Sequence, residues 1–365
     1  MSDRVRTEQD VLDAIERRRR RPHVKLMDEF ITLAHGAGGK STHALVETLF
    51  VRELANPELE RMGDSALVTA ANGGSPRLAF TTDSFVVSPL FFPGGDIGDL
   101  AVNGTVNDLA MSGARPRFLT LGLIIEEGFA LSDLQRVVKS IAAAAREAEV
   151  SVVAGDTKVV ERGKADGLYI STAGLGVVEH DLELDPSRIR PGDRVLVSGS
   201  LGDHGMAIMV ARGGLDLEVD LESDTAALGG LAAALIEAAG DGLRCMRDPT
   251  RGGLATVLNE LAVAAEASIV LDEASVPVRP EVNGACEILG IDPLYVASEG
   301  RLAAVVSADA ADAALAALRE HPLGQGAAVV GEVRDDPPGM VMLHTSFGGS
   351  RVVDMLAGDP LPRIC

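Results

Sequence analysis

The chain has 365 residues, 46% of them hydrophobic, which is enough for two cores rather than one. Its formal net charge of -21 argues against a nucleic-acid or anionic-membrane surface. No apolar run approaches the ~20 residues of a membrane helix, and three scattered cysteines suit neither a disulfide scaffold nor a zinc ribbon, so a reduced, cytoplasmic setting is expected.

The opening MSDRVRTEQD is too polar for a secretory signal. Residues 1–30 stand apart: the arginine run 17–21 is followed by the helix breaker Pro22, and a mobile arm is expected. From Ile31, ITLA reads as a short strand and HGAGGK as a loop, with Ser41 or Thr42 capping a helix that reaches to near Leu54. SALVTA and RLAFTTD read as strands around the turn ANGGSP. A helix from about Asp96 carries VNDLAMSG and stops at Gly113, and FLTLGLII follows as a buried strand. Ser132 is expected to cap a long amphipathic helix, after which SVVAGD returns to strand.

The segment DPSRIRPGD reads as an inter-domain linker. Beyond it come the strand RVLVSG, helices at GMAIMVA, LGGLAAALIEAAG and after DPTRGG, and strands at RLAAVV and AAVVGEV. The mixture predicts two α+β domains rather than a strict βαβ alternation. The expected division is 31–185, 186–345 and a flexible tail over 346–365.

Acidic residues recur beside glycine or at strand ends: Asp64 in GDSA, Asp83 in TTDS, Asn107 with Asp108 in VNDLAMSGA, Asp156 in AGDTK and Asp248 in RDPTRGG. Magnesium takes hard oxygen ligands and shares them with phosphates, so carboxylates from several strand ends suit one cation–triphosphate cluster. A single Asp in a turn is more often a local cap, and both readings stay open on spacing alone. HGAGGK has three glycines in four residues, which lets backbone N–H groups approach phosphate. It lacks the spacing of a Walker loop, and a plain strand–turn–helix connection explains it equally well. The same holds for SGSLGDHG at 198–205.

The closing PRIC puts Cys365 on the last residue of the sequence. Its position does not fit prenylation. The thiol is either unimportant or a nucleophile carried on a mobile arm. Cys245 and Cys286, in apolar surroundings, are expected to be inert.

Taken in order, HGAGG, FTTDSFVVSPLFFPGGDIG, VNDLAMSGA, GDTKVV, DPTRGG, HPLG and PRIC resemble the HypE family of hydrogenase expression/formation proteins, from about residue 31 to 365. That family is similar to aminoimidazole ribonucleotide synthetase and selenophosphate synthetase. The resemblance implies an aminoimidazole ribonucleotide synthetase-like fold, with an N-terminal ATP-binding and dimerisation domain and a C-terminal α+β domain. It also implies ATP-dependent dehydration of a carboxamide on Cys365 to a thiocyanate, the cyanide donor for NiFe-hydrogenase iron. The implied cofactors are ATP and Mg2+. The implied partners are the carbamoyltransferase HypF, a HypC–HypD scaffold and a second copy of the chain.

Carried over by motif, Asp64, Asp83, Asn107, Asp108 and Asp156 surround magnesium and phosphates, with Asp248 a further member. His35, Gly36, Gly38, Gly39 and Lys40 form the loop over the nucleotide, while Lys158 and Glu299 handle protons beside Cys365. Two rivals remain. A selenophosphate-synthetase-like phosphotransferase would carry Cys or selenocysteine in the glycine loop, where Ala37 stands, and a non-catalytic docking scaffold would bind no nucleotide.

Overall fold

The computed structural model describes residues 30–54, 56, 58–69, 77–213, 220–356, 358 and 361–365. The arginine run at 17–21 and the turn at 71–76 lie outside the described residues. In place of the expected opening strand, a 3-10 turn at Leu33–Gly36 leads into helix α1, Lys40–Leu45, which continues with a wider winding through Val46–Val51.

The first sheet is built from β1 (Ala66–Thr69), β2 (Arg77–Phe85), β5 (Ala114–Glu126), β6 (Ser151–Val160) and β7 (Leu168–Val178). The short pair β3 (Phe91–Phe92) and β4 (Gly95–Asp96) stands apart from it. Its order is β1-β2-β7-β5-β6, and all its pairings are antiparallel except β5 with β6. Helices α2 (Ile97–Met111) and α3 (Leu131–Glu147) pack on this sheet and on each other. Asp96 caps α2, its side chain accepting from the Gly98 and Asp99 amides while Asp99 Oδ1 accepts from the Asp96 amide at 2.8 Å. Almost every residue of α2 is buried, including Asn103, Thr105 and Asn107, so this helix sits between layers.

The second sheet uses β8 (Arg194–Val197), β9 (Leu243–Arg247), β10 (Ser268–Asp272), β11 (Ala303–Val306), β12 (Ala328–Arg334), β13 (Val341–His344) and β14 (Ser350–Val353). The order is β14-β13-β10-β12-β8-β11-β9, with only β10 and β13 parallel. The helices of this half are α4 (Asp203–Ala211), α5 (Gly229–Ala239), α6 (Gly253–Ala265), α7 (Pro280–Leu289) and α8 (Ala311–Glu320).

Three local expectations change. Strand β5 is not buried throughout: Phe118 and Ile124 are 47% and 43% exposed, because β5 shows one face to solvent. Ala130, not Ser132, holds the cap position of α3. The expected linker is pinned, since buried Asp193 accepts from the Arg190 amide at 2.8 Å and from Arg244 Nε at 3.0 Å.

The tail also departs from expectation. Ser350–Val353 pairs with β13, and the last residues return to the seam between the two halves. There Leu361 and Ile364 are 1% and 4% exposed, in one apolar cluster with Phe85, Met206 and Val282. Burying a side chain such as Leu361 is worth about 1.5–3 kcal/mol, and the absence of helical periodicity had concealed it.

Candidate active site

The site begins with a close approach. Gly104 of α2 lies against Phe85 of β2, where an added Cβ would come within 3.0 Å of the ring, so the missing side chain lets helix and strand close. This brings Asp108 towards Asp83. Thr81 Oγ1 donates to Asp108 Oδ2 at 2.6 Å and is also 3.0 Å from the Asp64 carbonyl. From the other half comes DPTRGG. Gly252 and Gly253 both have positive φ, and a Cβ on Gly253 would strike the Leu294 carbonyl at 2.5 Å. That tight turn delivers Asp248, Thr250 and Arg251 to the seam.

Glu299 is held by its backbone. Its N–H donates to Asp224 Oδ1 at 3.0 Å and its carbonyl accepts from Asn107 Nδ2 at 3.1 Å. The next residue must be glycine, since a Cβ on Gly300 would lie 1.7 Å from the Asp224 carbonyl. The Glu299 side chain is 2% exposed, and its Oε1 has no hydrogen-bond partner. A buried oxygen left this way is costly unless it awaits a ligand or a proton.

Cys365 completes the cleft. The Val86 amide donates to its carbonyl at 3.1 Å and the Ser88 amide to the Arg363 carbonyl at 3.2 Å. A ring nitrogen of buried His204 lies 2.7 Å from the Ile364 carbonyl, while Arg212 bridges the Ser88 and Arg363 carbonyls and Arg363 pairs with Asp166. The resulting narrow cleft is lined by Asp83, Phe85, Gly104, Asp108, Asp248, Thr250, Arg251, Glu299 and Cys365.

Crowded buried carboxylates repel one another. Burial, followed by the charges of Asp248, Asp64 and Asp83, pushes Asp108 well above the usual range. Burial and then Asp64 push Asp248 up to about 8, and Glu299 is raised well above its usual value by burial, Asp248 and Asp83. Burial also raises Asp83 against the pull of Arg251, and Asp64 against that of Arg247, whose Nη1 lies 2.7 Å from Asp64 Oδ2. Such a set calls for positive charge from outside. Among the described residues, no three His, Cys, Asp or Glu side chains form a complete metal cage. The oxygen donors nevertheless fit magnesium, which usually takes one or two carboxylates and completes its shell with water and phosphate.

The glycine loop closes on this cleft from above. Gly36 accepts from Arg251 Nη1 at 3.3 Å, and Gly38, at φ +77°, packs on Arg251. Gly39 lies so close to the Leu356 carbonyl that no side chain fits, and Lys40 donates its amide to that carbonyl at 2.8 Å. The Lys40 Nζ pairs with Asp354, and buried His35 places Nδ1 3.1 Å from the Thr32 amide.

Asp64, paired with Arg247, does not itself line the cleft, and three further sequence-derived candidates fall elsewhere. Asp156 and Lys158 lie on β6, paired with each other at 2.7 Å, both side chains 70% exposed and neither lining the cleft. The hydrogen bond from Lys158 holds Asp156 below the usual carboxylate range. Asn107 is fully buried and faces no opening; its amide holds the Ala226 and Glu299 carbonyls and the Leu228 N–H. Conversely, Arg251, Thr250 and Asp224 escaped the sequence reading. Arg251 and Thr250 stand inside the quoted DPTRGG, where a cation beside a strand-end Asp was a usable signal. Asp224 has no local signature.

The comparisons agree with this architecture. The family model for the N-terminal domain of AIR synthase related protein matches residues 62–178, and that for its C-terminal domain matches 190–344. A protein named carbamoyl dehydratase HypE from Bradyrhizobium diazoefficiens is 53% identical over 92% of this chain and 96% of its own length. Its namesake from Escherichia coli is 46% identical over 92% and 99%. A crystal structure of a HypE–HypF complex superposes with a TM-score of 0.81 at 46% identity, covering 86% of this chain and all of that one. A structure of HypE in complex with ATP gives 0.76 at 46% identity, over 92% and 100%. With both halves matched and such identity along nearly its whole length, this chain belongs to the HypE family within the AIR synthase related proteins.

Proposed function

We propose that the chain is an ATP-dependent carbamoyl dehydratase in hydrogenase maturation, acting on a carboxamide carried by its own Cys365. The observation that carries the reading is the seat of Cys365 in a cleft with buried carboxylates and the unpartnered Glu299 Oε1.

An amide oxygen leaves poorly, and phosphorylation makes it leave as phosphate. The carboxamide oxygen bonds to the terminal phosphorus of ATP as the bond to ADP breaks. The carbon–oxygen bond then breaks with both electrons leaving on phosphate. The nitrogen gives up its two protons in turn and its electrons complete the nitrile, leaving a thiocyanate. Glu299 is suited to take one of those protons, because its buried carboxylate holds a proton more tightly than an exposed one. Its backbone clamps, Asn107 and Asp224, keep it in place.

One or two of Asp83, Asp108 and Asp248 would hold magnesium together with water and phosphate, and the ion when bound would neutralise charge on the transferred phosphoryl group. The loop from His35 to Lys40 would cover the nucleotide, its N–H groups supplying donors. The carboxamide would come from a HypF carbamoyltransferase, and the cyano group would pass to iron on a HypC–HypD scaffold. We further infer a cytoplasmic homodimer joined through β6, whose Val152, Val153 and Val159 are exposed. Across that contact Asp156 and Lys158 would serve the neighbouring copy.

Mass spectrometry of the C-terminal peptide tests the reading, after incubation with the carbamoyltransferase, carbamoyl phosphate and Mg-ATP. A carbamoyl adduct on Cys365 that loses one water only with ATP is the expected result. An unmodified Cys365 beside an active partner would overturn the self-substrate mechanism.

A further inference from the structure

Arg251 leans from the DPTRGG turn across the seam between the two halves. Its Nη2 lies 3.6 Å from Asp83 Oδ1, and its Nη1 donates to the Gly36 carbonyl at 3.3 Å. Neither contact is the short two-pronged pair in which a guanidinium is fully committed. Arg247 makes the contrast: it is 12% exposed in its side chain and bound to Asp64 at 2.7 Å, whereas Arg251 is 44% exposed.

A second, wider opening, bounded by Leu33, Val86 and Pro362, meets the acidic cleft at two shared residues, Arg251 and Cys365. The attraction that holds Arg251 protonated comes first from Cys365, then from Asp83, Glu299 and Asp108.

We propose that Arg251 is a catalytic residue, the cation that receives the carboxamide oxygen on Cys365 and then the phosphoryl group transferred to it. The proposal rests on the dehydratase reading above. Phosphorylation brings negative charge onto an oxygen surrounded by Asp83, Asp108, Asp248 and Glu299, and that transfer needs a fixed positive group on the carboxamide side. A planar fork of N–H donors matches phosphoryl oxygens, which the point charge of a lysine does only in part. Because the same guanidinium holds the Gly36 carbonyl, Arg251 also ties the closing of the glycine loop to the thiol that carries the substrate.

The test uses the full chain as wild type, Arg251→Gln and Arg251→Lys. Carboxamide loading of Cys365, single-turnover loss of water with Mg-ATP, and KM for ATP are measured for each. Loading should match wild type in both variants. Water loss should slow about 100-fold in Arg251→Gln, as when one preorganised donor to a developing charge is removed, and recover in part in Arg251→Lys, with KM for ATP moving far less. Water loss at the wild-type rate in Arg251→Gln, or a defect confined to loading or to KM, would overturn the assignment. A loaded wild-type chain that keeps its water would instead overturn the dehydratase reading, and this one with it.

Discussion

Two acidic stretches of similar appearance meet opposite fates. TTDS and AGDTK each place an aspartate within a strand of the first sheet, yet Asp83 is drawn into a buried cleft while Asp156 lies on the exposed β6. Burial and like charges push the cleft carboxylates up, whereas a neighbouring lysine pulls Asp156 down. A motif therefore sets what a residue can bind, and its strand's place in the sheet decides whether it is under electrostatic strain. Strain of this kind marks sites built for an external charge.

The sharpest way to break this comparison is Glu299→Gln, which keeps shape and removes the proton acceptor. Loss of water from carbamoylated Cys365 should fall by about 10²–10⁴-fold, the usual range for one acid–base group, while carboxamide loading stays unchanged. Wild-type turnover would remove Glu299 from the chemistry.

Leu361→Ala asks how much the docking of the tail matters. Truncating this 1% exposed side chain weakens the packing that holds Cys365 in the cleft. Losing about 1.4 kcal/mol of docking would lower the docked population roughly tenfold relative to the undocked, and single-turnover dehydration should show it. An unchanged rate would mean that the backbone contacts to Val86 and Ser88 suffice.

Asp248→Asn probes the strain itself. The folded chain raises Asp248 from 3.8 to about 8, so it holds that proton more tightly than the unfolded chain. The stability from this preference is complete below about pH 4 and falls as pH rises towards 8. A permanently neutral Asn should therefore raise Tm at pH 8, by about 3 °C for each kcal/mol recovered, and change it little at pH 4. Equal shifts at both values would refute an electrostatic origin.

Asp156→Ala should do least. An exposed ion pair contributes little, so urea unfolding should return a stability within about 0.5 kcal/mol of wild type. A larger loss would show that the Asp156–Lys158 pair does more for the fold than an exposed ion pair can.

Much of the fold was legible along the chain. The helix from Asp96, the strands at RVLVSG and RLAAVV and the helix after DPTRGG follow from caps, glycines and apolar runs. Strands β3, β4, β7, β9, β10, β13 and β14 and helices α7 and α8 were missed, because apolar runs do not announce their pairing partners. At the site, Asp83, Asp108, Asp248, Glu299 and Cys365 were found by motif and meet in one cleft. Asn107, expected at the nucleotide from its motif, is buried in α2, where its amide donates to the Glu299 carbonyl.

By itself the sequence determined which groups were available: hard oxygen donors, a glycine loop able to approach phosphate, and a terminal thiol. Only the tertiary structure decided which of them meet. Convergence depends on strand order, on the closeness allowed by Gly104 and Gly300, and on a tail whose Leu361 and Ile364 find an apolar seam formed by distant segments. Local pattern specifies the chemistry of a side chain, whereas distance and burial, which set its charge state and its neighbours, arise only when remote parts of the chain pack together.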